Sequence, residues 1–354
     1  MRFLFASTRG AAHIAPLVPF ALACKRAGHE VLVAAPHSAW AHVARAGLPF
    51  AGFDEPPAEE LAPIWARVRD ADPDPDEQNR IVLAEIFHDA FPRYAYPGLL
   101  ALARRMRPDV ILHETEEHAS ARVATALGIP TWRIECYLSA FKADSGPFLT
   151  LSPASFDPRP GAIRFRVRPA REAPLQDWWA GSRAPLVYVS FGSTAAGNGF
   201  FPDLYQQAAH ALGGLNARVL MTLGIEVDPA ELGPLPGNVH VERWVPQSVV
   251  MREAAAMVGH GGSASTLAAM AAGVPLAAIP LYADQPVNAA RVAELGAGIM
   301  LDGADRLTDA VPALLGDPLY RDGARFIANE IARHSAVDEV VWFLDETTRR
   351  PLSA

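Results

Sequence analysis

The sequence predicts an α/β protein made of two halves, each a parallel β-sheet flanked by helices. In both halves of the 354-residue chain, short apolar runs typical of buried strands alternate with amphipathic segments typical of helices. Between the halves, residues 152–185 are rich in proline and arginine, so this segment cannot be one continuous helix or a central strand. The length suits two ordinary domains.

The first half opens with an apolar strand at residues 1–6, a loop of small residues and a helix at 13–27. This helix begins at His13, and a lone histidine beside apolar residues is usually a packed or capping side chain. A later strand, at 108–114, ends in Glu114, and Glu116 and Glu117 follow at once. Both of the latter suit the N-terminus of a helix predicted at 119–127.

Two stretches of the first half are candidates for binding a small molecule. Residues 54–79 contain many aspartates and prolines, which predicts a mobile loop. Residues 81–95 and 137–151 carry several aromatic side chains. Aromatic residues at helical spacing are more often core than pocket, so both interpretations stay open.

The second half contains a pattern typical of an anion site. An apolar run stops at His260-Gly261-Gly262, and a helix follows. Glycines let the backbone approach a bulky anion, and the N-terminus of a helix favours a phosphate. Three hydroxyl side chains can add donors or simply cap the helix: Ser263, Ser265 and Thr266. The next strand, at 274–281, is followed by Asp284 and Gln285, at the sheet edge where open α/β sheets bind ligands.

These residues form one ordered signature. It runs His260-Gly261-Gly262-Ser263-Ala264-Ser265-Thr266-Leu267, then Ala271-Ala272-Gly273-Val274-Pro275-Leu276, then Ala283-Asp284-Gln285. The signature resembles the donor-binding region of the GT-B nucleotide-sugar glycosyltransferases, particularly their bacterial natural-product (antibiotic, macrolide and enediyne aglycone) branch. The resemblance implies two Rossmann-like parallel-sheet domains that face each other across a cleft. An acceptor domain would span residues 1–170, with a C-terminal helix at 336–354 crossing back to it, a linker 171–185 and a donor domain 186–335.

The resemblance also implies roles for residues of the second half. Trp244 would lie against the nucleobase and Val245 would offer backbone groups to its edge, although Trp244 could instead be a core aromatic. The diphosphate would be held by His260, by the amides from Gly262 to Ser265, and by the hydroxyls of Ser265 and Thr266. Asp284 and Gln285 would bind sugar hydroxyls, the alternative being that Asp284 caps the next helix. In Phe191-Gly192-Ser193, the hydroxyl of Ser193 would reach the phosphate or ribose.

Ala268 bears on the identity of the donor. Plant-like relatives place a ribose-binding Glu where this chain has Ala268. Because that acceptor for a 2′-hydroxyl is missing, dTDP-sugars are favoured over UDP-sugars, although backbone groups could still bind uridine.

The catalytic residues follow from the segment at 12–21, which is similar to the family's GHxxPxxxLA sequence with Ala12 in place of Gly. The resemblance implies that His13 is the general base of an inverting displacement. Glu114 is the expected carboxylate partner, with Glu116 and Glu117 left open and Asp109 less favoured. For the acceptor, the aromatic candidates are Phe87, Phe91, Tyr137 and Phe141.

Composition limits the partners. The net charge of −8 argues against nucleic acid, and no apolar run approaches the roughly 20 residues needed to span a bilayer. The start lacks the features of a secretory leader, so we expect a cytoplasmic protein. No cofactor and no metal are expected; the partners are a nucleotide sugar and a small hydrophobic aglycone. A homodimer is left open.

Three functional classes stay in view. The first is a transferase that moves a deoxysugar from a dTDP donor to a natural product. The second is another GT-B enzyme, namely a UDP-sugar or lipid-acceptor transferase or a 2-epimerase, and the third is an inactive nucleotide-binding partner protein. A Rossmann dehydrogenase is disfavoured because no GxGxxG follows the first strand.

Overall fold

The computed structural model describes residues 1–72, 74–139, 146–168, 173–225 and 227–349. Its strands, in chain order, are β1 Arg2–Ala6, β2 Glu30–Pro36, β3 Phe50–Phe53, β4 Val110–Glu114, β5 Thr131–Ile134, β6 Phe148–Thr150, β7 Ala162–Arg166, β8 Leu186–Ser190, β9 Arg218–Thr222, β10 Val239–Glu242, β11 Ala254–Gly259, β12 Leu276–Ala278, β13 Gly298–Met300 and β14 Ser335–Ala336.

Within the described ranges, these strands form two sheets. The first has eight strands in the order β14-β7-β6-β5-β4-β1-β2-β3, and the second has six in the order β10-β9-β8-β11-β12-β13. Neighbouring strands pair in parallel in both sheets. The α/β architecture predicted from the alternating pattern is therefore confirmed.

Helices connect the strands. The α-helices are α1 Ala11–Ile14, α2 Leu17–Arg26, α3 Trp40–Arg45, α4 Ala58–Asp70, α5 Pro75–Ile81, α6 Phe91–Met106, α7 Ala119–Leu127, α8 Asp203–Leu212, α9 Gln247–Glu253, α10 Ser263–Ala271, α11 Gln285–Glu294, α12 Leu307–Gly316, α13 Pro318–Ala332 and α14 Val340–Arg349. A π-helix, Val82–Ala90, joins α5 to α6. Among the described residues, no helix combines the length and apolarity needed to cross a membrane.

Each half has its own core because its strands carry apolar side chains on both faces. In the first sheet, Phe3 and Phe5 of β1 pack with Phe20 of α2. In the second, Val187 and Val189 of β8 pack with Tyr205 of α8. Parallel strands are covered by helices on both faces, and this explains why they read as continuous apolar runs.

Strand register brings distant loops together at the carboxyl ends of the strands of each sheet. Ala6 of β1 lies opposite His113 of β4, so the loops after these strands are neighbours. In the second sheet, Ser190 at the end of β8 lies opposite Gly259 at the end of β11. The carboxyl ends of parallel strands are where open α/β sheets bind ligands.

The end of the chain returns to the first half. Strand β14 pairs with β7, and Val340 and Leu344 of α14 lie in the core that contains Phe20. Residues 350–354 of the helix expected at 336–354 lie outside the described residues.

Three sequence-based expectations need correction. Residues 54–79 form helices α4 and α5 instead of a mobile loop, because Leu61 packs with Ile86 and Phe91 in a small core. The proline-rich segment contains β7, which lies between β6 and β14. His13 lies within the short helix α1, and the longer helix begins only at Leu17.

A buried cluster of charged side chains holds the loop after β5 in place. The guanidinium of Arg159 contacts the carboxylates of Glu135 and Asp157, each at 2.6 Å, and both acidic side chains are fully buried. The guanidinium also lies over the ring of Phe148, 4.7 Å from its centroid. Removing the cation would leave two buried carboxylates without their charge partner.

We expect Arg159→Met to lower the free energy of unfolding by about 3–5 kcal/mol, because it leaves buried charges uncompensated. Urea denaturation would measure the change. Arg93→Met is the matched control: Arg93 pairs with Glu60 and Asp89 at an exposed site, so its removal should change stability little. Equal effects of the two substitutions would contradict a structural role for the cluster.

Candidate active site

His13, with 19% of its side chain exposed, pairs with the fully buried Glu114 at the carboxyl end of β4. His13 Nδ1 lies 3.3 Å from Glu114 Oε2. The Glu114 carboxylate also accepts hydrogen bonds from the amide (3.1 Å) and hydroxyl (2.8 Å) of Thr8 and from the amide of Glu116 (2.7 Å). These bonds come from the loops after β1 and β4, so both loops hold the carboxylate in place.

Burial and charge act in opposite directions on this pair. Burial by itself lowers the pKa of His13, but the negative charge and hydrogen bond of Glu114 raise that pKa above its ordinary value. Burial likewise favours a neutral Glu114, yet His13 and the Glu116 amide hold the pKa of Glu114 below its ordinary value. The charge of Asp284, from the other half, also raises the pKa of His13. The pair is therefore stabilised in its charged form.

The other candidate carboxylates have different partners. Glu117 accepts from the amides of Ala119 and Ser120 and so caps α7, and burial raises its pKa to about 7. Glu116 accepts from the hydroxyl of Tyr137 at 2.7 Å. Asp109 accepts from the amide of Arg2 at the opposite end of β4. Of the four, Glu114 is the carboxylate in contact with His13.

Phe87 of the π-helix lies beside His13, and Phe91 at the start of α6 lies beside Phe87. The ring of Phe87 is 5.2 Å from the imidazole of His13, and Phe91 follows 6.0 Å from Phe87. Phe87 is half-buried, whereas Phe91 is buried with Leu61 in the small core. Phe91 therefore matches the core alternative better than the pocket one. Phe141 lies outside the described residues.

In the second half, the imidazole of His260 lies in space between Gly192 and Gly262. A Cβ atom at Gly192 would lie 2.7 Å from His260 Nε2, and one at Gly262 would lie 2.3 Å from it. Gly192 also has a φ of +83°, which other residues rarely adopt. Burial lowers the pKa of His260 to about 4, so the ring is neutral at physiological pH. A side chain at either position would push the imidazole aside, and the φ of Gly192 also favours glycine there.

The hydroxyls at the start of α10 are already engaged or enclosed. Ser265 Oγ donates to the carbonyl oxygen of Gly262, and Thr266 is fully buried. Ser263 Oγ donates to Asp284 at 2.6 Å. Ser193, by contrast, is exposed. The first-turn amides of α10 are therefore better placed than the hydroxyls of Ser265 and Thr266 to donate to an anion.

Asp284 is the last residue before α11, and Gln285 is the first residue of that helix. Asp284 Oδ2 accepts from Ser263 and, at 2.8 Å, from Asn288. Gln285 is buried, and its Oε1 accepts from the amides of Leu281 and Tyr282. Burial raises the pKa of Asp284, although both of its side-chain donors oppose the shift.

Trp244 lies in the loop between β10 and α9, with 62% of its surface exposed. The core interpretation of this side chain is therefore wrong, and its ring is open to contact with a planar ligand. Val245 is half-buried and packs against the core of the second half.

The sequence analysis missed two side chains of this region, Thr8 and Asn288. Asn288 lies four positions after Asp284, a spacing that places both on one face of a helix, so periodicity could have indicated it. Thr8 belongs to a loop of small residues that has no comparable signal.

Two groups of side chains have distances that could suit a metal. The ligand atoms lie within 4.8 Å of one another in His13, Glu114 and Cys136, and in His88, Glu116 and His118. His13 and Glu114 already pair with each other, and Glu116 accepts from Tyr137. Both groups therefore contain protein partners that an ion would have to replace.

Comparisons with known proteins place the chain in a family. Residues 206–347 match the model described as erythromycin biosynthesis protein CIII-like, C-terminal domain. The elloramycin glycosyltransferase ElmGT of Streptomyces olivaceus is 33% identical over 94% of this chain and 93% of its own length. The L-demethylnoviosyl transferase of Streptomyces niveus is 30% identical, with 94% of each chain covered.

A solved structure extends the comparison to the fold. The spinosyn rhamnosyltransferase SpnG, complexed with thymidine diphosphate, superposes with a TM-score of 0.82 at 22% identity, covering 98% of this chain and all of SpnG. The GT-B architecture is thus confirmed, and so is the resemblance read from the signature. The chain belongs to the GT-B natural-product glycosyltransferases.

Proposed function

We propose that this glycosyltransferase moves a deoxysugar from a dTDP-sugar to a small hydrophobic natural-product aglycone, with inversion at the anomeric carbon and with His13 as general base. The observation that carries this proposal is the contact of His13 Nδ1 with the buried Glu114 carboxylate. When the neutral ring carries its proton on Nδ1, the nitrogen that faces Glu114, Nε2 keeps the lone pair that a base requires.

The reaction is one displacement. His13 Nε2 takes the proton of the acceptor hydroxyl as its oxygen attacks the anomeric carbon. The bond from that carbon to the diphosphate breaks on the opposite face, and dTDP leaves. Its developing charge would be met by the amides of Gly262 to Ser265 at the start of α10, with neutral His260 beside them. Glu114 stabilises the imidazolium that forms.

The two halves have separate tasks in this proposal. The eight-stranded half, residues 1–170 with the C-terminal helix, would bind the acceptor through Phe87 and Tyr137. The six-stranded half, residues 186–334, would bind the donor, since Ser335 begins β14 of the other sheet. Trp244 would stack on the base with Val245 at its edge, and Ser193 would reach the phosphate or ribose. Asp284 and Gln285 would recognise the sugar.

Two features favour a thymidine nucleotide. Ala268 supplies no carboxylate for a ribose 2′-hydroxyl. SpnG and the glycosyltransferase VinC, which share this fold, were solved with thymidine diphosphate. SpnG was also solved with the spinosyn aglycone, which supports a natural-product acceptor.

Trp244→Ala should weaken dTDP binding by about ten- to a hundredfold, because base stacking on an aromatic ring contributes about 1–3 kcal/mol. Calorimetric titration would measure this, and it should show that wild type binds dTDP more tightly than UDP. Trp244→Phe keeps a stacking surface and is the control. Unchanged dTDP affinity in Trp244→Ala would remove Trp244 from the site, and tighter UDP binding would favour a UDP-sugar transferase.

Glu114→Gln should lower the pKa of His13, since the carboxylate raises it. The neutral base is lost as pH falls through this pKa, so the acidic limb of kcat/KM should move to lower pH in the variant. Titration of isotope-labelled histidine by NMR would measure the shift without an acceptor. Glu116→Gln should shift the same pKa less, because the charge of Glu116 raises it less than that of Glu114. An unchanged pKa of His13 in Glu114→Gln would contradict the pairing.

His13→Ala should lower kcat about 10²- to 10⁴-fold, the usual contribution of a positioned base, with dTDP affinity unchanged. The loss would be measured as the change in kcat with a donor and an acceptor that the wild-type enzyme turns over. His29→Ala is the histidine control, because His29 contacts the chain's first residue and the ring of Phe3, away from the His13–Glu114 pair. Full activity of His13→Ala would reject the proposed base.

A further inference from the structure

Asn288 of α11 lies where the two halves meet and is fully buried. Its Nδ2 donates to Asp284 Oδ2 at 2.8 Å and to the carbonyl oxygen of Gly261 at 2.9 Å. Its Oδ1 accepts from the amide of Ser139, in the other half, at 3.1 Å. The orientation of the amide is fixed because an N–H faces one side and two acceptors face the other.

Ser263 repeats this arrangement. Its hydroxyl donates to Asp284 Oδ2 at 2.6 Å and accepts from the amide of Leu138 at 2.8 Å. Two successive amides of the first half therefore bind two side chains of the second half, and both of those side chains bind the same carboxylate oxygen. Among the described residues, the hydrogen bonds that Asp284 accepts from Ser263 and Asn288 both go to Oδ2.

The amides of Leu138 and Ser139 belong to residues 135–139, which we term the 135–139 segment. The Leu138 side chain is buried in the core of the second half, with Val250 and Met270. Its carbonyl oxygen accepts from the hydroxyl of Ser152. The segment is thus held in the second half by packing as well as by hydrogen bonds.

The other end of the segment is anchored beside the His13–Glu114 pair. Glu135 Oε1 accepts from the hydroxyl of Thr115 at 2.7 Å and from the amides of Cys136 and Tyr137. The Tyr137 hydroxyl donates to Glu116, whose amide binds Glu114. One short segment therefore contacts the surroundings of the base at one end and the partners of Asp284 at the other.

We infer that Asn288 is a positioning residue that, with Ser263, holds the Asp284 carboxylate for a hydroxyl of the donor sugar, and that two amides of the 135–139 segment hold Asn288 and Ser263 in turn. Recognition of the sugar then depends on the acceptor half, whereas binding of the nucleotide does not. The inference rests on the proposed role of Asp284 in the donor site. It deepens that role by adding a residue that places the carboxylate and the amides that hold that residue.

The test separates binding of the sugar from binding of the nucleotide. Calorimetry would first measure the affinity of wild type for dTDP, dTDP-glucose and dTDP-rhamnose. The sugar nucleotide that wild type binds more tightly than dTDP would then be used with the variants. Asn288→Ala should weaken binding of that sugar nucleotide about tenfold, because it removes a hydrogen bond to the charged group that contacts the sugar. Its affinity for dTDP should stay within about twofold. Ser263→Ala should act in the same direction and serves if Asn288→Ala does not fold.

A double-variant comparison shows whether Asn288 acts through Asp284. In an Asp284→Ala background, Asn288→Ala should cause no further loss of sugar-nucleotide affinity, since positioned partners are not additive. Arg291→Gln is the matched control, because Arg291 Nε donates to Ser155 O across the same interface, at 2.6 Å, without contacting Asp284. This variant should keep the wild-type preference for the sugar nucleotide over dTDP.

The outcomes are distinct. An equal loss of dTDP and sugar-nucleotide binding in Asn288→Ala, or the same loss with Asp284 already removed, would overturn the inference and leave the proposed function standing. If wild type binds dTDP but binds neither dTDP-glucose nor dTDP-rhamnose more tightly than dTDP, the role of Asp284 would be overturned. A wild type that binds neither dTDP nor UDP would overturn the donor site itself.

Discussion

The buried negative charge of Glu114 is the interaction on which the active-site region depends. A carboxylate at the end of a fully buried strand is costly unless hydrogen bonds and a positive partner compensate it. Thr8 and the Glu116 amide supply the hydrogen bonds, and His13 supplies the partner. The same charge therefore holds the loops after β1 and β4 together and raises the pKa of the His13 imidazole.

Parallel-sheet geometry turns this local arrangement into a site between two halves. Register aligns the ends of β1 and β4 in one sheet and those of β8 and β11 in the other. His13 and Glu114 follow from the first alignment, while His260 and the start of α10 follow from the second. The 135–139 segment joins the two edges by hydrogen bonds and by the burial of Leu138.

The site was only partly predictable. His13, Glu114, His260 and Asp284 stand in motifs whose residue types indicate their chemistry. Glu114 and His260 lie at strand ends, whereas His13 lies in α1 and Asp284 directly before α11. Thr8 was missed because its hydrogen-bond partner Glu114 is 106 residues away in the sequence. Asn288 was missed although its spacing from Asp284 could have indicated it. The aspartates and prolines at 54–79 suggested a loop, yet packing of Leu61 against Ile86 and Phe91 stabilises helices there.

The sequence by itself determined the α/β alternation, the two halves and the donor signature, because strand burial, glycine turns and helix starts are encoded locally. Only the tertiary structure decided that Glu114, not Glu116 or Glu117, contacts His13, and that Ser265 and Thr266 face inward while Ser193 is exposed. Those outcomes depend on how loops from different strands pack at one sheet edge. Distance between side chains there is set by register and packing, which no single stretch of sequence contains.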